Sequence, residues 1–291
     1  MAEIAITGAN GRLGNALRAC PAWSAQHELT SVLRKSEVDS TSITFDRLCR
    51  PEVAARFHAI LHLAWGAVPR TATPEQSAAD CNLLQELLQS VSKCEVPPQV
   101  IFVSTGAVYG ESQLKSGSVE TDLPDPRGEY ASGKLAAERL LLDHAVSNGI
   151  DATVLRVSNV YGIEGVAGPP QGVIPFLFRC ARENLEFQQW GVDTEKDYLH
   201  IDDLSKAILE AVEHRLTGIF NVASGRSNRL SDLIAMVERI TERSISVRKM
   251  EGGIEWDVQR NSINPFKFRT AANWKPQVDL ESGLLRIANS S

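Results

Sequence analysis

Short apolar runs rich in Val and Ile alternate, through the first half of the chain, with longer segments that gather their apolar residues on one helical face. The runs predict strands at "EIAIT" from Glu3, "LTSVL" from Leu29, "SITF" from Ser42, "AILHLA" from Ala59, "QVIFVS" from Gln99 and "DATVLRV" from Asp151. Helices are predicted from about Arg12, from Pro74 to Ser92 and from Glu129 to Ser147. In the second of these, Leu83, Leu84, Leu87, Leu88 and Val91 form a wide stripe that must pack on the sheet or on another subunit. That rhythm of strand and helix means βαβ units, and so an α/β fold with a doubly wound parallel sheet.

Past Gly162 the texture changes. "GVAGPPQG" is a Gly/Pro loop, and the segments after it are shorter and less regular. The expected division is a main domain over residues 1–162 and a smaller substrate-binding lobe over 163–291. Segments near 197–223 return to the main domain: a helix starting near Asp202 and the strand "GIFNVAS" from Gly218.

Composition narrows the classes. With 43% hydrophobic residues among 291, the chain can bury a sizeable core. A net charge of -6, with no basic run, argues against a nucleic-acid surface and for small-molecule partners. Cys20, Cys49, Cys81, Cys94 and Cys180 lie far apart, with no CxxC pair and no His cluster at ligand spacing, so no metal site is expected and a reducing compartment is. The opening "MAEIAITGAN" carries Glu3 and runs straight into a glycine loop, unlike a signal peptide. No apolar run approaches the roughly 18 residues of a membrane span, so a cytoplasmic location without membrane partners is expected.

The first strand leads into "TGANGRLG", with Gly8, Gly11 and Gly14 at a predicted strand-to-helix turn. Glycines there allow a tight turn and let a pyrophosphate approach backbone N–H groups at the helix start. The spacing resembles that of the extended short-chain dehydrogenase/reductases, whose fold is Rossmann-type. Asn10, Arg12 and Leu13 in this loop, and Ala64 at the end of the fourth strand, are taken as cofactor contacts with the glycines. His62, just before, reads as a strand-end filler. About 20 residues past the glycines, NAD-binding proteins usually carry an acid for the ribose hydroxyl. Here the strand ends "SVLRKSE", with Arg34 and Lys35 at that place. A guanidinium suits a 2′-phosphate, so NADP is expected, with NAD as the alternative; a solvated strand end is the plainer reading.

"VSTGAVYG" ends the fifth strand in Ser104 and Thr105, and "EYASGKLAAE" places Tyr130 and Lys134 four residues apart on one helix face. Tyrosine is a poor base unless a nearby ammonium lowers its pKa, and Lys134 is positioned to do that. The three together resemble the Thr/Ser, Tyr, Lys set of the same superfamily. That resemblance implies that Tyr130 passes a proton, Thr105 holds the same substrate oxygen, Lys134 also holds the cofactor ribose, and Ser104 supports the turn. Alone, the Tyr130/Lys134 pair would read as a surface pair.

"RVSNVYG" from Arg156, "DYLHIDDL" from Asp197, "FNVASG" from Phe220 and "NWKPQVDLESGL" from Asn273 extend the resemblance, to the NAD-dependent epimerase/dehydratase family, over nearly the whole chain. Family members act on nucleotide sugars and pair as homodimers through the helices matching Pro74–Ser92 and Glu129–Ser147; Leu135, Leu140 and Leu141 could equally be internal core. By the same resemblance Asn159 contacts the substrate diphosphate, and Asn82 helps order the site. Arg260, a cation before "INPFKF", is a further candidate for a phosphate. Lys196, Asn264 and Asn273 depart from the family's usual Arg, Asp and Gly. The family's dehydratases carry an Asp-Glu pair directly after the catalytic Thr. Gly106 and Ala107 stand there instead and cannot move a proton. What remains is an NADP-dependent 4-ketoreductase, a 4-epimerase that retains NAD, a reductase of a non-sugar ketone, or an NADP-binding regulator without catalysis.

Overall fold

The computed structural model describes residues 1–34, 41–163, 172–253 and 257–290. Among these, seven parallel strands form the main sheet, in the order Gly218–Val222, Ala152–Val157, Gln99–Thr105, Ala59–His62, Ala2–Thr7, His27–Leu33 and Ser42–Thr44. The chain builds outward from Ala2–Thr7 in one direction, then crosses back to add Ala59–His62 on its other side. The carboxyl ends of those two neighbours are therefore where the winding reverses, the place in such sheets where a crevice opens.

The strands read as unbroken apolar runs because both faces are covered. Ile4, Ile6, Leu61, Ile101 and Leu155 pack toward Leu17, Leu204, Ile208 and Val212, which come from the helices Arg12–Ala19 and Ile201–Glu213. Ala5, Ile60, Val100, Phe102 and Val154 point the other way, onto Leu84, Leu87, Leu88, Val91 and Leu141. The last group belongs to the two long helices, Pro74–Val91 and Gly128–Asn148. Thr73 and Gln76 close a reciprocal cap at the start of the first, with Pro74 at its first position. The second ends at Gly149, whose φ of 65° a side chain would resist. Leu135 and Leu141 are buried within the chain, so these positions are internal core.

Beyond Val157 the chain builds a separate small core from Tyr161, Leu177, Phe178, Leu233, Val237 and Leu284. Around it run a four-stranded sheet (Asn159–Tyr161, Glu195–His200, Ser227–Arg229, Arg260–Asn261) and a two-stranded one (Phe187–Trp190, Val247–Met250). The strand Gly218–Val222 leaves this region to pair with Ala152–Val157 at the edge of the main sheet. No helix among the described residues is long and apolar enough to cross a membrane.

Candidate active site

Thr7, the last residue of the first strand, is buried, and its Oγ1 accepts hydrogen bonds from the backbone N–H groups of Leu63 (3.2 Å) and Ala64 (3.3 Å). The same hydroxyl lies 3.0 Å from His62 Nδ1. His62 thus ties two strand ends together at the crevice, more than the filler its sequence context suggested. Gly8 follows with φ 69°, and a Cβ on it would stand 2.8 Å from the Ala64 nitrogen. Gly14 is equally constrained: its Cβ would meet the Gly8 oxygen at 2.5 Å. Gly11 donates its N–H to Gly8 oxygen and stands at the start of the helix Arg12–Ala19, whose first turn carries neither a capping side chain nor an acid. Uncapped N–H groups reached through glycine form a cradle for an anion. The residues therefore fit a dinucleotide pyrophosphate. Around the cradle, Asn10 is exposed, Arg12 and Leu13 are half-buried, and Ala64 faces Gly8. Arg34 is exposed just past the end of the second strand; Lys35 lies outside the described residues.

Gln99–Thr105 carries the next group. Thr105 Oγ1 accepts from the Ala107 N–H at 3.2 Å, capping the short helix Gly106–Tyr109, so Thr105 itself makes the turn. Ser104, expected in that role, donates instead to the buried carboxylate of Glu138. Glu138 is held from its other side by Arg156, with Oε2 2.7 Å from the guanidinium; both are almost fully buried. Tyr130, Lys134 and Glu138 stand at steps of four on the helix Gly128–Asn148 and share a face.

The side chains of Tyr130 and Thr105 are hydrogen-bonded, yet burial pushes the phenol up to about 12. Lys134 was expected to pull it down. The amine instead donates to the Val103 carbonyl at 2.8 Å and lies 4.3 Å from the centre of the Trp65 ring and 4.5 Å from that of Phe102. Burial pulls Lys134 down to about 7, against the upward pull of Asp80, Glu138 and Cys81.

Asn82, expected to order the site, is exposed. The residue that the helix Pro74–Val91 turns inward is Asp80, whose Oδ2 accepts from the N–H groups of Gly66 (2.8 Å) and Ala67 (3.0 Å). Its signal in the sequence was an acid in phase with the apolar stripe, four residues before Leu84. Asn159 is exposed and donates Nδ2 to the Asp197 carbonyl at 2.9 Å. Arg260 donates to Glu195 at 3.1 Å, so its guanidinium is occupied within the chain. The neighbouring Asn261 reaches the carbonyl of Gly106 at 3.1 Å, and a Cβ on Gly106 would lie 2.7 Å from Ile263 Cδ1. The place of a dehydratase acid is filled by an isoleucine. Asn273, where the family prefers glycine, has φ 47°, the left-handed backbone that asparagine tolerates best after glycine.

A sheet wound in both directions from a glycine cradle defines a Rossmann-type dinucleotide-binding protein. Residues 4–223 match the model of the NAD dependent epimerase/dehydratase family, and the chain belongs to that family, whose members are NAD(P)-dependent enzymes of the extended short-chain dehydrogenase/reductase type. Among its relatives, GDP-6-deoxy-D-mannose reductase of Pseudomonas aeruginosa is 25% identical, over 79% of this chain and 78% of that protein. UDP-glucose 4-epimerase of Rhizobium meliloti is 28% identical, over 81% and 78%. The fold matches that of a Bacillus cereus UDP-glucuronic acid 4-epimerase solved with NAD, at a TM-score of 0.86 and 20% identity over 99% of this chain and 98% of that one.

Proposed function

We propose that the protein is an NADP-dependent reductase of a nucleotide-linked 4-keto sugar. The observation that carries the cofactor choice is Arg34, an exposed guanidinium at the end of the second strand, where an acid would favour NAD. Gly8, Gly11 and Gly14, with Asn10, Arg12, Leu13 and Ala64, hold the pyrophosphate side; Arg34 takes the 2′-phosphate and Lys134 the nicotinamide ribose. The bound cofactor supplies the hydride. Tyr130 gives its proton to the substrate oxygen, and Thr105 donates a second hydrogen bond that fixes that oxygen in place. Burial pushes the Tyr130 phenol up to about 12, so it carries its proton at neutral pH and can donate it to the substrate oxygen. With Ile263 against Gly106, the site lacks the acid that would expel water. Asn159, exposed beside the site's second lobe, is the diphosphate contact we favour; Arg260 can join it only by exchanging Glu195 for phosphate.

Epimerisation at carbon 4 with retained NAD is the second reading, favoured by the Rhizobium meliloti relative. Purified protein incubated with a UDP- or dTDP-4-keto-6-deoxy sugar and NADPH should consume the nicotinamide absorbance, and NADPH should bind at least tenfold tighter than NADH, about 1.4 kcal/mol. Equal dissociation constants would remove the NADP reading. Interconversion of UDP-glucose and UDP-galactose without net oxidation would replace the reductase by the epimerase. Tyr130→Phe should lower turnover by about a hundredfold or more. A homodimer through the two long helices completes the proposal, read by the mass in solution.

A further inference from the structure

Lys134 is 5% exposed, and its ammonium has one carbonyl and two aromatic faces around it. Ring faces attract a cation but replace little of the water it has lost. The ionisable groups that face it are Asp80 and Cys81 from the helix Pro74–Val91, Glu138 from its own helix, and His62 from the strand Ala59–His62. Glu138 is already neutralised by Arg156 and occupied by Ser104. A neutral thiol and a neutral imidazole supply no charge. Asp80 is different: it is 2% exposed, and among the described residues it has no ion-pair partner, only the backbone N–H groups of Gly66 and Ala67. Those N–H groups belong to the turn that carries Trp65, the ring over Lys134. A Cβ on Gly66 would stand 3.4 Å from Asp80 Oδ1, in ordinary contact, so the turn lies directly against the carboxylate. One buried acid thus supplies negative charge and also fastens the ring that covers the ammonium.

We propose that Asp80 is a positioning residue, which with the Trp65 turn clamps Lys134 in its charged form and its place at the active site. The inference rests on the reading of Lys134 as part of that site, and it acts through Lys134 without touching the reacting atoms. Asp80→Asn separates the two duties, because the amide oxygen can still accept from both N–H groups while the charge is gone. In the cofactor-free protein, a pH titration of tryptophan emission should show a transition from Lys134 beneath the Trp65 ring. Lys134→Met and Trp65→Phe should both abolish it, and Asp80→Asn should move its midpoint down by about one pH unit or more. The turnover profile should follow: the limb on which activity is lost as pH rises moves to lower pH in Asp80→Asn, and by less in Trp65→Phe, which keeps a weaker ring. An unmoved midpoint in a folded Asp80→Asn protein overturns the clamp. If that variant does not fold, an unmoved limb in Trp65→Phe overturns it equally. Failure to oxidise NADPH with any keto sugar would count against the proposed reaction alone, since the emission titration needs neither cofactor nor substrate.

Discussion

His62 is wholly buried, with Nδ1 engaged by Thr7 and Nε2 lacking a hydrogen-bond partner among the described residues. Burial, with the Lys134 charge adding to it, pushes its pKa down to about 3 from a usual 6.5. The sign of the consequence follows from counting protons. Between pH 6.5 and about 3 the unfolded chain binds a proton at this residue and the folded chain does not, so stability falls as the pH falls through that window. The slope reaches at most about 1.4 kcal/mol per pH unit. His62→Asn, which can still reach Thr7, should flatten the acid side of a plot of urea midpoint against pH. A variant whose midpoint falls as steeply as the parent's would show that other groups set the acid limit.

Among elements, the helix Pro74–Val91 is the most instructive, because its phase decides which of two neighbouring polar residues meets the site. Asp80, Leu84, Leu87, Leu88 and Val91 share the buried face, and Asn82 points away. Asn82→Ala should therefore change stability by no more than about 0.5 kcal/mol and leave turnover intact, which a melting curve and one rate measurement would check. A hundredfold loss of turnover would mean that this face is used after all. The stripe itself was legible as soon as the leucines were read at helical spacing. A motif matched by residue type points to the asparagine, whereas the phase of the leucines points to the acid four residues before Leu84. The six Val- and Ile-rich strands and the glycine turn were readable because both sheet faces demand apolar side chains and the turn admits no Cβ at Gly8. Asn159–Tyr161 and Ser227–Arg229 were not, since they lie outside the main sheet and are set by register with Glu195–His200 rather than by an apolar run of their own. Glu138 stood four residues past Lys134 and could have been read from that spacing. Its partner Arg156 comes from another strand, and only the fold brings the two together.

At the scale of the molecule, the segment Arg260–Ile263 closes over the end of the strand Gln99–Thr105. Asn261 bonds the carbonyls of Gly106 (3.1 Å) and Gly110 (3.3 Å), and Ser262 donates its N–H to Ser112 Oγ at 2.9 Å. Ile263 seals the joint, 2% exposed, with its Cδ1 where a side chain on Gly106 would begin. The small residue after Thr105 is thus required by a contact from a distant part of the chain, and chemistry at that position is tied to how the second lobe docks. A mutant cycle isolates the contact. Gly106→Ala should overpack the joint and cost about 1–3 kcal/mol. Ile263→Val removes the single Cδ1 methyl and should cost about 0.5–1.5 kcal/mol on its own. Combined, the methyl that Gly106→Ala introduces occupies the space Cδ1 has left, so the pair should be more stable than the sum of the single losses by about 1 kcal/mol. Strict additivity in the urea midpoints would mean that Gly106 is small for another reason, and that the lobe could move aside for an acid at this position.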